Sequence, residues 1–169
     1  MRGILINPDD RTIMDVEYDG DYKQIYKLIG ASPFDVRQIK EGESLFFDDE
    51  FLLKIEEGDT KNYFIIEGLA DPVGGCALIL GVDGKGDSVS TKLEVEDVKV
   101  EWQTLQLKGW EPTRSFEDIH PVLGKVTHIV GPRPIFNKFE YNPNGRKLEK
   151  IDEDSKNKDQ IMRRLFSGS

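Results

Sequence analysis

The stretch Thr12-Ile13-Met14-Asp15-Val16-Glu17-Tyr18, followed closely by Asp21-Tyr22-Lys23-Gln24-Ile25-Tyr26-Lys27-Leu28-Ile29-Gly30, carries a change of period that decides the fold class. In the first part Thr12, Met14, Val16 and Tyr18 alternate with Ile13, Asp15 and Glu17, which is the period of a half-buried strand. In the second part Tyr22, Ile25, Tyr26 and Ile29 fall at i, i+3, i+4 and i+7, one apolar stripe on a helix. Asp21 with Gln24 forms the Asp version of a capping box, and Gly30 stands where a left-handed C-terminal residue is wanted. Pro33 keeps the helix from resuming. The spacing predicts a helix over 22–29 that buries Tyr22, Ile25 and Ile29.

Outward from this unit, Arg2–Ile6 reads as a short strand, joined to the next by the turn Asn7-Pro8-Asp9-Asp10. Further strands are predicted at Phe34–Ile39, Ser44–Phe47, Phe51–Ile55 and Tyr63–Glu67. Cys76–Val82 is a continuous apolar run, so Ala77–Leu80 is expected to be a central strand covered on both faces. Val98, Val100 and Trp102 alternate in a strand running toward Leu107, which Gly109-Trp110-Glu111-Pro112 breaks. Ser115–Asp118 suits one helical turn, and Val126–Val130 and Ile135–Tyr141 suit strands. Gly131-Pro132-Arg133-Pro134 reads as a rigid extended corner between them. The expected fold is α+β: a mostly antiparallel, twisted sheet with one principal helix, whose strand–strand–helix–strand–strand order resembles a ubiquitin-like grasp. Residues 1–107 form the core domain, 108–145 add strands and loops packed on it, and 146–169 form a charged tail, partly helical or disordered.

With 169 residues the chain is long enough for one domain with a real core and no disulfide. The net charge is −9, and it is unevenly spread. Residues 1–100 hold 11 basic and 22 acidic side chains, a net of −11, whereas 101–145 hold 5 of each. This argues against sequence-independent binding to nucleic acid or to an anionic membrane. No apolar run approaches the ~20 residues of a membrane span. Met1-Arg2 opens no signal-peptide pattern, and a single Cys76 supports neither an intrachain disulfide nor a cysteine zinc cage. A cytoplasmic location is expected.

The chemistry-bearing residues are sparse. His120 and His128 lack the spacing of a zinc helix and read as ordinary surface or structural residues. Cys76 lies in an apolar run, as a small hydrophobe does rather than a nucleophile. The segment Gly81–Ser88 is glycine-rich, but Lys85 is followed by Gly86 and by no helix, so the phosphate-loop pattern fails; the calcium-loop pattern fails as well. A hairpin turn fits better. No cofactor and no metal is expected. The candidate binding residues are Asp48, Asp49 and Glu50 at an acidic hairpin tip, Trp110 in a turn as a contact anchor, and Arg133 displayed between prolines. Gly74 and Gly75 at a corner, with Lys85, are the candidate ligand loop through their backbone amides.

The run Ile6-Asn7-Pro8-Asp9…Thr12-Ile13…Val16-Glu17-Tyr18-Asp19-Gly20-Asp21-Tyr22…Leu28-Ile29-Gly30 is similar to the start of an uncharacterised family widespread in phages, prophages and mobile elements. Asp48-Asp49-Glu50…Leu52-Leu53 and Phe64-Ile65-Ile66-Glu67-Gly68…Pro72-Val73-Gly74-Gly75…Leu78-Ile79-Leu80-Gly81 resemble its middle motifs. The resemblance covers roughly residues 1–107 and carries turns and core strands but no catalytic signature. It implies a small protein of a virus or mobile element working in the cytoplasm of a bacterial host. The expected function is therefore a non-catalytic accessory protein, an acidic mimic or anti-defence factor, that binds and modulates a host protein with a basic surface. The alternatives are a small-molecule or nucleotide-sequestering protein and, third, a small hydrolase using carboxylates. Oligomeric state is left open.

Overall fold

The structure, a computed structural model, describes residues 1–31 and 33–142. The predicted tail 146–169 lies outside them. The described residues form twelve strands and one α-helix; the helix and two sheets stack as three layers, and β10 and β11 form a separate two-stranded sheet. The first sheet has the order β2-β1-β7-β4-β3, from β1 (Arg2–Asn7), β2 (Thr12–Glu17), β3 (Asp35–Lys40), β4 (Glu43–Phe47) and β7 (Ala77–Val82), with β8 (Ser88–Val89) paired to the end of β7. The second has the order β12-β9-β5-β6, from β5 (Thr60–Ile66), β6 (Val73–Gly74), β9 (Val100–Glu111) and β12 (Arg133–Phe139). Every pairing is antiparallel. The strand–strand–helix–strand–strand sequence of elements is present, but the sheet is not that of a ubiquitin-like grasp: β7 enters between β1 and β4, antiparallel to both, where a grasp sets its last strand parallel to the first.

The apolar run of β7 explains the layering. Ala77 and Ile79 face one way and join Ile4, Ile6, Leu45, Phe64, Ile66, Val73 and Val98 between the two sheets. Leu78 and Leu80 face the other way and join Tyr18, Ile25, Ile29, Ala31 and Phe46 under helix α1 (Tyr22–Ile29). Ala77–Leu80 is fully buried, as a strand covered on both faces must be.

Helix α1 starts and stops for the reasons its sequence gives. The Asp21 side chain accepts from Lys23 N, and Gly30 takes a left-handed conformation (φ 70°) while its N–H bonds back to the Tyr26 carbonyl. The reciprocal bonds of a capping box are both shifted: Asp21 accepts from Lys23 N rather than Gln24 N, and Gln24 Oε1 accepts from Asp19 N rather than Asp21 N. Ile25 and Ile29 are buried as predicted, but Tyr22 is 57% exposed. Standing at the first turn, it reaches past the sheet and packs edge-on against Tyr26, with ring centroids 5.8 Å apart.

Three local readings are corrected. Phe51–Leu53 is a 3-10 turn, not a strand. Gly109-Trp110-Glu111 does not break β9 but completes it. Ser115–Asp118 lies in a strand, β10 (Arg114–His120), which pairs with β11 (Gly124–Val130).

The stretch 108–145, expected to pack on the core, divides in two. β12 pairs along β9 and buries Phe139. β10 and β11 pack on each other and make no substantial packing on any other element. The register explains how this arm is built. Glu111 lies opposite Arg133, and Arg114 lies opposite Val130. Two residues therefore intervene on each side, Pro112-Thr113 and Gly131-Pro132, and the ladder resumes without a slip. β9–β10 and β11–β12 are one long hairpin, interrupted where proline offers no N–H to the ladder. From Glu111 to its tip the arm reaches about 30 Å, at ~3.3 Å per residue.

Candidate functional site

Three places receive the residues that the sequence singles out. The first is a cleft of about 690 Å³ between the open edge of β3 and the short edge strand β6, lined in part by Arg37, Asp48, Asp49, Phe51, Asp71 and Gly74. Asp48 is buried and already engaged: its Oδ2 lies 2.8 Å from Lys54 Nζ, and its Oδ1 accepts from Glu50 N at 3.0 Å. Asp49 and Glu50 face solvent. The acidic tip is thus not one surface; its first carboxylate holds the 3-10 turn in place and the other two are free. Gly74 is needed for packing, because a Cβ there would sit 2.2 Å from the Phe51 ring. Gly75 has φ +76°, a conformation that favours glycine. Arg37 is paired with Asp35 at 3.2 Å. Among the described residues no serine, threonine, cysteine, histidine or lysine lines this cleft, whose polar lining is Arg37, Gln38, Asp48, Asp49 and Asp71. Its chemistry suits a cationic group, not a phosphate.

The second place is the β7–β8 turn. Asp83 Oδ1 accepts from the backbone N–H groups of Lys85 and Asp87, each at 2.9 Å. The amides that an anion would need are occupied by the loop's own carboxylate, and Lys85 points into solvent. Gly74, Gly75 and Lys85 do not share a cavity in the described residues.

The third place is the arm, where Trp110 and Arg133 meet at the root. Trp110 lies opposite Pro134 and Arg133 opposite Glu111, so they are one rung apart and on opposite faces of the ribbon. Beyond them no residue from Glu111 to Arg133 is buried. Exposure is high for large apolar side chains: Phe116 53%, Ile119 80%, Val122 85%, Leu123 72% and Ile129 74%. The tip is nonetheless ordered by polar contacts. His120 Nδ1 accepts from Val122 N and Leu123 N, both at 3.1 Å. Phe116 stacks on His128 with centroids 4.9 Å apart, His128 Nε2 lies 3.5 Å from Asp118, and Lys125 pairs with Glu117 at 3.0 Å. Both histidines therefore shape the arm. β11 is legible as the run Val126–Val130, but β10 does not alternate apolar with polar residues and reads as a helical turn, so the hairpin as a whole goes unrecognised. The available signal was symmetry: Pro112 and Pro132 stand equally far from the centre of the His120-Pro121-Val122-Leu123-Gly124 turn.

Among the described residues no group of three or more His, Cys, Asp or Glu side chains could hold a metal ion. No helix is long and apolar enough to cross a membrane. Cys76 is half-buried at the entry to β7, and burial, then Asp9 and Asp10, push its thiol upward. Tyr63 and Tyr18 are also raised, each first by burial, with Asp59 adding to the first and Asp19 and Asp21 to the second. These groups hold their protons more tightly folded than unfolded. Their contribution is complete below the unfolded thiol and phenol values of about 8.5 and 10, and it is lost progressively as pH rises from those values through the raised folded ones. Stability should be flat with respect to these groups through neutral pH and fall above about pH 9, as read by urea unfolding at pH 7 and pH 10. Equal stability at both would contradict the burial of these three side chains.

Tyr63 offers a sharper test. Its ring is enclosed by Phe51 and Phe136, at 5.6 and 5.4 Å, and its buried hydroxyl has no hydrogen-bond partner among the described residues. Tyr63→Phe should therefore raise stability by about 1 kcal/mol, because an unpaired buried hydroxyl costs ~1–3 kcal/mol. A loss of that size in denaturant unfolding would mean that the hydroxyl is bonded. No known protein family, no curated protein and no solved structure matches this chain.

Proposed function

We propose that the chain is a non-catalytic accessory protein, of phage or mobile-element origin, that binds and modulates a host protein, and that the β10–β11 arm is its docking element. The observation that carries this reading is the arm itself: exposed from Glu111 to Arg133, it displays five large apolar side chains to water. A two-stranded hairpin without a core is marginal in water, and this one leaves apolar side chains open on both faces and at its tip: Phe116 on one face, Ile119 and Ile129 on the other, Val122 and Leu123 in the turn. The acidic body supports a basic partner surface, since a net of −11 over residues 1–100 attracts a basic patch and orients its approach. The cleft beside Asp49 and Asp71 supports a second reading, capture of a small cationic ligand, and disfavours nucleotide sequestration through its carboxylates.

The test is affinity capture from a bacterial lysate with two baits, the full chain and a chain in which 112–132 is replaced by Asn-Gly. Glu111 and Arg133 are opposed across the ladder, so a two-residue turn closes the ribbon there. A partner held by the first bait and lost from the second is expected. A partner held equally by both, and lost instead on Asp49→Lys with Asp71→Lys, would move the site to the cleft.

A further inference from the structure

We propose that the first partner of the arm is a second copy of this chain: β11 pairs antiparallel with β11 of the second copy about Thr127, giving a four-stranded sheet. This rests on the reading of the arm as a docking element. The two outer edges of the arm differ. β10 carries Arg114, Glu117 and Asp118, charges that discourage pairing, whereas β11 runs Lys125-Val126-Thr127-His128-Ile129-Val130, with four β-branched residues and one fixed charge. Its outer edge pairs with nothing among the described residues.

Charge favours a copy of the same chain on this edge. Residues 109–135 hold three acidic and three basic side chains, so the arm is neutral on an acidic protein. Two-fold pairing about Thr127 sets Val126 opposite His128 and Lys125 opposite Ile129 of the second copy. No like charges meet. On one face Ile119 and Ile129 of both copies gather around the two lysine stems. On the other, Val126 of each copy lies diagonally beside Val130 of the other, next to His128, which carries Phe116 stacked on it. The geometry also separates the bodies. The root at Arg133 is six positions on from Thr127, so the two roots stand about 40 Å apart at ~3.3 Å per residue. That is several times the ~8 Å screening length at physiological salt, and the acidic bodies do not oppose the contact. The same pairing brings the exposed tip, Val122 and Leu123, alongside Gly131 and Pro132 of the second copy.

Thr127 lies opposite Glu117 within its own arm, which makes the test selective. Thr127→Lys adds an opposite-charge pair inside the arm and sets two lysines face to face across the two-fold. By sedimentation equilibrium the parent chain should dimerise with concentration. Thr127→Lys alone and Thr127→Glu alone should each weaken dimerisation on the order of ten-fold or more. An equimolar mixture of the two should restore it. A parent chain that stays monomeric at every concentration overturns the proposal; capture that still depends on the arm would then leave the proposed function standing. Dimers that persist in both variants overturn it as well, since the contact must lie elsewhere.

Discussion

Ile79→Ala should cost about 2–5 kcal/mol of unfolding free energy, with the denaturant dependence unchanged. Ile79 is fully buried in β7, with Ile4 and Leu45 as its partners on the neighbouring strands. It points into the layer between the sheets, where Phe64 and Val98 close over it. Removing three carbons there forfeits their burial and leaves a cavity that two packed sheets cannot close by moving one side chain. Because domains of this size are stable by only ~5–15 kcal/mol, the variant should unfold at a visibly lower urea midpoint. Leu78→Ala, one residue back, should cost a similar amount by opening the other layer, under Ile25 and Ile29. A loss well below 1 kcal/mol for Ile79 would mean that the sheets do not pack face to face at this position.

Gly81→Ala should destabilise by about 1–3 kcal/mol or more, from overpacking rather than from a cavity. A Cβ on Gly81 would sit 2.5 Å from the Ser90 carbonyl oxygen and 3.1 Å from Val89 Cγ2. The obstacle is backbone, and the segment that carries it is tied down. Buried Glu43 accepts from Thr91 Oγ1 at 2.6 Å and from Lys92 N at 2.8 Å. Arg2 donates to the Thr91 and Leu93 carbonyls, and its own N–H donates to Ser90 Oγ. The segment cannot yield without giving up bonds to a buried carboxylate. Gly84→Ala is the control: its Cβ would meet nothing within 4 Å, and stability should be nearly unchanged. Equal effects at the two glycines would show that residues 88–93 do not lie over β7.

Local chemistry made the centre of this fold legible and its periphery less so. The helix could be read because its apolar stripe and its left-handed Gly30 are short-range signals, and β7 because a run without polar residues leaves a strand no wet face. Tyr22 obeyed the same periodicity yet lies outside, since periodicity gives the face of a helix and not the extent of the sheet beneath it. Phe51-Leu52-Leu53 looked like a strand because its composition is apolar; only the space beside Tyr63 and above Gly74 makes it a 3-10 lid. Asp48 looked like its neighbours, and the ion pair with Lys54 that turns it inward is a tertiary fact. Trp110 and Arg133 were singled out separately, as a turn residue and as a residue between prolines. What joins them is the ladder register that sets Glu111 opposite Arg133 and Trp110 opposite Pro134, a pairing too distant in sequence for any short window to contain.

On the proposed function the arm is an addition for binding and no part of the core. The most direct test is urea unfolding of the chain in which Asn-Gly replaces 112–132. Because β10 and β11 bury no residue, the shortened chain should unfold cooperatively, with a free energy within about 1 kcal/mol of the parent. A loss of several kcal/mol, or a transition that is no longer cooperative, would show that the arm supports the core and would contradict the claim.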